Sequence, residues 1–135
     1  MSDPIVFISH NTVNKDKIED LKDYYHKVVQ EIEEQKPGTL LHLAFFNDDS
    51  SEMTIVHLLA DADAMDRHMV GTAESARGAY EFMKSKKLEI YGMPNPGVLE
   101  GMRKIVGSGV ELVINPSYVD GYYRLTPETS PISGC

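Results

Sequence analysis

The sequence predicts an α+β domain in which helices cover an antiparallel sheet, and three features of the chain support this prediction. A β-branched and aromatic segment opens the chain, a helical period follows it, and two apolar runs then flank the polar turn "DDSS". At 135 residues the chain is long enough for one hydrophobic core and short for two. We therefore expect a single domain over residues 1–126 and a disordered tail over 127–135.

The first two elements are a strand and a long helix. Residues 4–13, "PIVFISHNTV", predict the strand because β-branched and aromatic residues dominate it. Apolar residues then recur at steps of three and four from Ile18 to Ile32, which predicts an amphipathic helix of roughly 20 residues. Pro37-Gly38 should end this helix.

A β-hairpin is predicted next, in the segment "TLLHLAFFNDDSSEMTIVHLLAD". If "DDSS" forms a four-residue loop, Asn47 pairs with Glu52, and the pairing continued outward places His42 opposite His57. Both faces of this hairpin are apolar, whereas an antiparallel sheet usually leaves one face to solvent. Helices can cover one face, and a second copy of the chain most simply covers the other. The sequence therefore predicts a homodimer.

The remaining elements complete a βαββαβ order. Asp61 or Asp63 can cap a helix, "ADAMDRHM", whose inner side carries Met65 and His68. The segments "AESARGAYEFMKSKKLEIYG" and "NPGVLEGMRKIVGSG" favour further helix, which gives an extra helical insert at about 72–110. "VELVINPSYV" and "GYYRL" then supply the closing strand. This order is the split βαβ, ferredoxin-like pattern.

Composition excludes several classes of protein. With 13 Lys+Arg against 21 Asp+Glu, the net charge of −8 disfavours a nucleic-acid partner. No apolar stretch approaches the ~20 residues that span a bilayer, and the start, "MSDPIVFISHN", lacks the features of a signal peptide, so we expect a cytoplasmic protein. The single cysteine, Cys135, excludes an intramolecular disulfide and a cysteine-based metal site. Nucleotide-binding loops and the common hydrolase motifs are absent from the sequence.

The chain resembles the antibiotic biosynthesis monooxygenase superfamily of dimeric α+β barrels. The resemblance lies in the first strand, the helix ending at Pro37-Gly38, the hairpin, and "ADAMDRHM", which is similar to the family's Ala-x-x-x-His segment. It covers roughly residues 4–75 and a closing strand near 111–125. The family includes cofactor-independent oxygenases of aromatic polyketides and quinols, and haem-degrading enzymes.

The resemblance implies a fold and a site. Two ferredoxin-like subunits pack their sheets face to face, and each keeps a ligand cavity between its sheet and its helices. The chain departs from the family pattern where Leu59 replaces a tryptophan common at the end of the third strand, and where His57 replaces an acidic residue two positions earlier. The insert at 72–110 is longer than a minimal member needs and is expected to roof the cavity.

Histidines are the candidate site residues. We expect His68 to handle a proton, with His57 as its catalytic partner, in a monooxygenase-like reaction on a small aromatic or quinol-type substrate that uses no metal or other cofactor. The following residues are expected to contact the substrate: His42, His10, Leu59, Met65 and Tyr91.

Other interpretations stay open at this point. His68 is also compatible with a hydrogen bond to a backbone carbonyl or to a partner subunit, and Tyr91 with ordinary packing. His42 and His57, opposite each other across the hairpin, could hold a transition metal, with His10 as a third ligand. The alternatives to an enzyme are a dimer that binds a small molecule, haem or metal without turnover, and a purely structural dimer.

Overall fold

The computed structural model describes residues 3–70, 78–79, 81–105 and 109–124. These residues form five strands and three helices of known bounds, together with a 3-10 turn at Lys15–Lys17. In chain order they are β1 (Ile5–Val13), α1 (Ile18–Gln35), β2 (Thr39–Phe46), β3 (Glu52–Leu59), α2 (Ala62–Met69), β4 (Met83–Tyr91), α3 (Pro96–Ile105) and β5 (Glu111–Asn115).

The strands form one sheet in the order β2-β3-β1-β4-β5. The first four pair antiparallel, and β5 adds to the edge parallel to β4. From β1 to β4 the chain follows the βαββαβ order with β1 and β3 at the centre, so the predicted α+β, ferredoxin-like fold is confirmed.

The predicted hairpin register is also confirmed. β2 and β3 pair Phe46 with Met53 and His42 with His57. The loop closes on Asn47, whose backbone N–H donates to the carbonyl of Glu52 at 3.1 Å. Because side chains alternate across a strand, this register fixes His42 and His57 on one face of the sheet.

The segment at 72–110 is not helical throughout, and this expectation is wrong where β4 lies. Residues 83–91 pair with β1 and bury Leu88 and Ile90 while Glu89 and Tyr91 face the other side. This alternation over four residues is a strand signal, but three lysines and a glutamate in "KSKKLEIY" resemble the composition of a helix surface. The predicted short helix after Asn95 is confirmed as α3.

The closing strand is shorter than predicted. β5 covers only Glu111–Asn115, and residues 116–124 have no regular structure. Pro116 lacks the N–H that pairing would require, which explains why the strand stops there. The fourth strand of the ferredoxin-like pattern is therefore β4. Residues 71–77 and the tail predicted at 127–135 lie outside the described residues.

The hydrophobic core lies on one face of the sheet, which we call the inner face. It carries the odd-numbered residues of β1, and the helices pack on it: one cluster joins Ile5 and Phe7 to α2 and α3, and a second joins Val13 to Leu21 of α1. The opposite, outer face carries Leu43 and Phe45, whose side chains are 46% and 58% exposed. In the described part of the chain no helix has the length and apolar character needed to cross a membrane.

Candidate functional site

Three histidines from three elements meet on the inner face of the sheet. His42 lies on β2, His57 on β3 and His68 on α2. The ring centroids are 4.5 Å apart for His42 and His57, 4.9 Å for His57 and His68, and 6.1 Å for His42 and His68. One ring nitrogen from each residue lies within 4.8 Å of the other two. We call these three residues the histidine cluster.

His57 is held most firmly. Its Nδ1 lies 2.9 Å from the carbonyl oxygen of Phe7, and its ring stacks on the Phe7 ring with centroids 4.8 Å apart. A carbonyl only accepts hydrogen bonds, so Nδ1 carries the proton and Nε2 carries the lone pair. The tautomer of His57 is therefore set by the backbone of the neighbouring strand.

His42 contacts a tyrosine on α1. Its Nε2 is hydrogen-bonded to the hydroxyl of Tyr25, and the two rings lie 5.6 Å apart. Its Nδ1 is buried and has no hydrogen-bond partner among the described residues. A buried polar atom without a partner costs about 1–3 kcal/mol, so such an atom in a folded protein is a reason to look for a missing group.

His68 reaches the cluster because α2 is capped and packed closely. Asp61 caps the helix by accepting from the backbone N–H of Ala64 at 2.7 Å, which decides between the two candidate caps. Gly38 lies under the helix, where an added Cβ would come within 2.7 Å of the Cβ of Ala64. His68 Nδ1 then lies 2.8 Å from the hydroxyl oxygen of Thr39.

The last turn of α2 is held by Lys36. The Lys36 ammonium donates to the carbonyl oxygens of His68 and Val70, at 2.5 and 2.8 Å. These carbonyls lie at the helix C-terminus, where backbone acceptors lack partners within the helix and a positive charge is favourable. Lys36 therefore fixes the position of His68 from the connection between α1 and β2.

Burial keeps the cluster uncharged at neutral pH. Desolvation lowers the pKa of His42 to about 4. Desolvation, with repulsion from His42 and His68, lowers the pKa of His57 to about 3. Desolvation lowers the pKa of His68 to about 4, aided by the positive charge of Lys36 and by His42. Each ring therefore presents an unprotonated nitrogen at pH 7.

A pocket of about 300 Å³ lies between α1 and the hairpin and is lined mainly by apolar side chains such as Leu21, Val29, Phe46 and Met53. Tyr25 lines this pocket while its hydroxyl is bonded to His42. Burial raises the pKa of the Tyr25 hydroxyl above its usual range, so Tyr25 keeps its proton. Tyr25 thus connects the pocket to the histidine cluster.

The structure separates two predicted site residues from this cluster. His10 lies on the outer face, because β1 places its even-numbered residues there, and its Nε2 contacts the carboxylate of Glu89. Tyr91 lies on the same face and donates to Glu89 at 2.6 Å. The expectation that His10 could join His42 and His57 as a third ligand is therefore wrong, and Tyr91 does not share a site with them.

Leu59 and Met65 are predicted substrate contacts that the structure places in the core. Both side chains are fully buried, at 0% exposure, in the cluster that joins β1, α2 and α3. Such packing leaves them no surface for a ligand in this conformation. Leu59 is two residues from His57, and Met65 is three residues from His68. The packing of these two side chains in the core therefore helps to hold the histidines in position.

Sequence reasoning missed Tyr25 and Thr39. Tyr25 falls on the apolar stripe predicted for Ile18 to Ile32, and that stripe does face the sheet. The available signal was its hydroxyl, since a buried tyrosine on an apolar stripe needs a polar partner. Thr39 starts β2 next to Gly38, and nothing local indicates that α2 will place His68 beside it.

Known structures resemble this one in fold. MupZ from Pseudomonas fluorescens superposes with a TM-score of 0.67 at 15% identity, covering 96% of this chain and 99% of its own. SnoaB, a cofactor-independent oxygenase from Streptomyces nogalater, gives a TM-score of 0.56 at 16% identity, covering 70% of this chain and 96% of its own. A candidate antibiotic biosynthesis monooxygenase from Deinococcus radiodurans gives 0.57 at 15% identity, covering 67% and 93%.

The chain has the fold of the antibiotic biosynthesis monooxygenases. This confirms the resemblance found in the sequence at the level of architecture. The likeness to MupZ extends over nearly the whole chain, whereas the two monooxygenase-like structures cover about two thirds of it. No protein-family model matches the sequence, and no curated protein sequence matches it.

Proposed function

We propose that the protein is a monooxygenase-like enzyme that acts on a small aromatic or quinol-type substrate and uses its own side chains, with no resident metal or flavin. One observation carries this proposal: three uncharged imidazoles converge beneath α2, and Tyr25 connects them to an apolar pocket. The fold of SnoaB, a cofactor-independent oxygenase, supports it. Fold alone does not decide chemistry, so the argument depends on the cluster.

In this proposal His68 takes a proton from the substrate. Loss of that proton leaves an electron-rich, enolate-like anion that reacts directly with O2. When a CH2 group beside an aromatic ketone becomes a carbonyl, the substrate supplies all four electrons, one oxygen atom is retained and the other leaves as water. His57 and His42 orient the anion, and Tyr25, which lines the pocket, holds His42 in place through the hydrogen bond of its hydroxyl.

We also propose that the active form is a homodimer. All described helices pack on the inner face, so Leu43 and Phe45 are left exposed on the outer face. A second sheet would cover these residues, as the sequence predicts. Sedimentation equilibrium should give twice the chain mass at micromolar concentration.

Oxygen uptake tests the enzymatic proposal. A panel of small quinols and aromatic ketones with activated CH2 groups should include a substrate that consumes O2 without added metal or flavin. Replacement of the proton-handling residue, His68→Gln, should lower kcat about 100-fold or more. Glu33→Gln, an exposed change on α1 at a residue that does not line the pocket, is the control and should leave kcat unchanged. Equal turnover by the two variants would refute the role of His68.

A second candidate is a protein that binds a small molecule without turnover. It is favoured by the pKa values near 4 of His42 and His68, since such imidazoles are weak bases at neutral pH. Two results together would support this candidate. The chain would bind an aromatic ligand saturably and lose this binding in Tyr25→Ala, and it would consume no oxygen with any tested substrate.

A further inference from the structure

We propose that His42, His57 and His68 form a binding site for a divalent transition-metal ion of the zinc class. The site goes beyond the proposed function, because it requires only the geometry of the cluster and no turnover. The sequence pointed to His10 as a third ligand, but the structure places His68 in that position. Three ring nitrogens within 4.8 Å of one another are the starting observation.

The distances are close to those that a metal needs. Zinc binds imidazole nitrogen at about 2.0–2.1 Å in a tetrahedral arrangement, which sets the nitrogens about 3.3 Å apart. The widest separation in the cluster must therefore contract by about 1.5 Å, and small rotations of three rings can supply this. His42 and His57 lie opposite each other on paired strands, with ring centroids 4.5 Å apart.

Each ring already makes the supporting contact that metal-binding histidines make. Such histidines almost always hydrogen-bond an oxygen through the second ring nitrogen, which orients the first toward the metal. Here the oxygens come from the Phe7 carbonyl for His57, the Thr39 hydroxyl for His68 and the Tyr25 hydroxyl for His42. Three such contacts on three converging rings are a second observation that indicates a metal.

The buried Nδ1 of His42 is a third observation. It has no hydrogen-bond partner among the described residues, although the other nitrogen of the ring is bonded. When Nε2 donates to the Tyr25 oxygen, Nδ1 carries a lone pair inside the protein, and no described residue donates a hydrogen bond to it. A metal ion at the centre of the cluster would satisfy this atom.

The ligand set selects the class of ion. Imidazole nitrogen suits zinc, copper and nickel, whereas magnesium and calcium prefer oxygen ligands. Among the residues that the structure describes, no carboxylate contributes to the cluster. Three protein ligands leave a fourth position for water or an anion.

Titration calorimetry with Zn²⁺ on the metal-stripped full chain tests the site. We expect one ion per chain, no binding of Mg²⁺, and an affinity at least about 100-fold lower in each of His42→Gln, His57→Gln and His68→Gln. The chain offers two matched controls among its five histidines, His10→Gln and His26→Gln, which should bind as the wild type does. Tyr25→Phe keeps the ring and should weaken binding about tenfold.

A measurement on the wild-type chain tests the site even if some of the variants fail to fold. In the NMR spectrum, Zn²⁺ should shift the imidazole signals of His42, His57 and His68 and leave those of His10 and His26 in place. Absence of one-to-one binding, binding retained in His57→Gln, or a shift confined to His10 or His26 would overturn the proposal.

Bound zinc has one consequence for the proposed reaction. The ion would occupy the nitrogen lone pairs that handle protons, so oxygen uptake by the chain should fall as the site fills. This consequence alone rests on the proposed function. A chain that binds zinc but consumes no oxygen would confirm the metal site and count against the enzyme.

Discussion

The two faces of the sheet place histidine in opposite environments. On the inner face His57 is 5% exposed, stacks on Phe7 and has two other imidazoles as neighbours. On the outer face His10 lies on the adjacent strand, where its side chain is 29% exposed and contacts the carboxylate of Glu89. The inner environment favours the neutral ring because burial disfavours the charged form, whereas the outer one gives the ring a carboxylate neighbour and contact with solvent.

This difference shows that the alternation of a strand decides the chemistry of its residues. His10 and His57 lie on neighbouring strands, and Phe7, which contacts His57, is only three residues from His10. A change of one residue in register would exchange the two environments. We therefore assign the proposed proton transfer or metal binding to the inner face and the proposed contact with another subunit to the outer face.

The largest expected effect is loss of stability in acid. The unfolded chain binds protons on histidine below its ordinary pKa of 6.5, whereas the folded cluster stays neutral down to about pH 4. The free energy of unfolding therefore has its full value above pH 6.5 and falls as the pH decreases toward 4. At pH 5 the loss should be about 2 kcal/mol for each of the three rings.

Urea unfolding at pH 7 and pH 5 measures this loss. His57→Gln should reduce the difference between the two pH values by about 2 kcal/mol. His26→Gln, which removes one exposed imidazole on α1, is the matched control. A pH dependence that is the same in all three proteins would show that the cluster is not held neutral by burial.

The next effect comes from truncation of a single histidine on each face. His57→Ala should lower the free energy of unfolding by about 3 kcal/mol, because it removes buried packing and leaves the Phe7 carbonyl without its donor. His10→Ala should cost about 0.5 kcal/mol, since its contact with Glu89 is partly exposed. Equal costs in thermal or urea unfolding would contradict the contrast between the faces.

The outer face predicts an effect on assembly. Leu43→Lys combined with Phe45→Lys should weaken the proposed dimer at least about 100-fold, because like charges would meet across the interface. Sedimentation velocity measures the change. Val119→Lys is the matched control, since Val119 is 92% exposed in a segment without regular structure. Dimers that persist in the double variant would place the interface elsewhere.

The smallest effect concerns the hydroxyl of Tyr25. Tyr25→Phe removes the hydrogen bond to His42 and keeps the ring between α1 and the sheet. We expect a loss of about 1 kcal/mol in the free energy of unfolding. Thermal unfolding measures the loss, with Tyr122→Phe at an 83% exposed tyrosine as the control. A larger loss for the control would mean that the bond to His42 contributes little to stability.

Much of the fold could be predicted from local pattern. The stripe of α1, the strand at 4–13 and the register of the hairpin all depend on residues close together in the chain, and each agrees with the structure. β4 was mistaken for helix because its alternation is limited to Leu88–Tyr91 and lysines precede it. Its identity is decided by pairing with β1, which is distant in the sequence.

The candidate site could likewise be predicted only in part. The sequence by itself determined that His42 and His57 are neighbours, because one turn of known length fixes the register of two strands. Only the tertiary structure decided that His68 and Tyr25 complete the group and that His10 does not. Those placements depend on how α1 and α2 pack across the sheet and on which face of β1 the helices cover, and contacts between distant segments leave no periodic trace in the sequence.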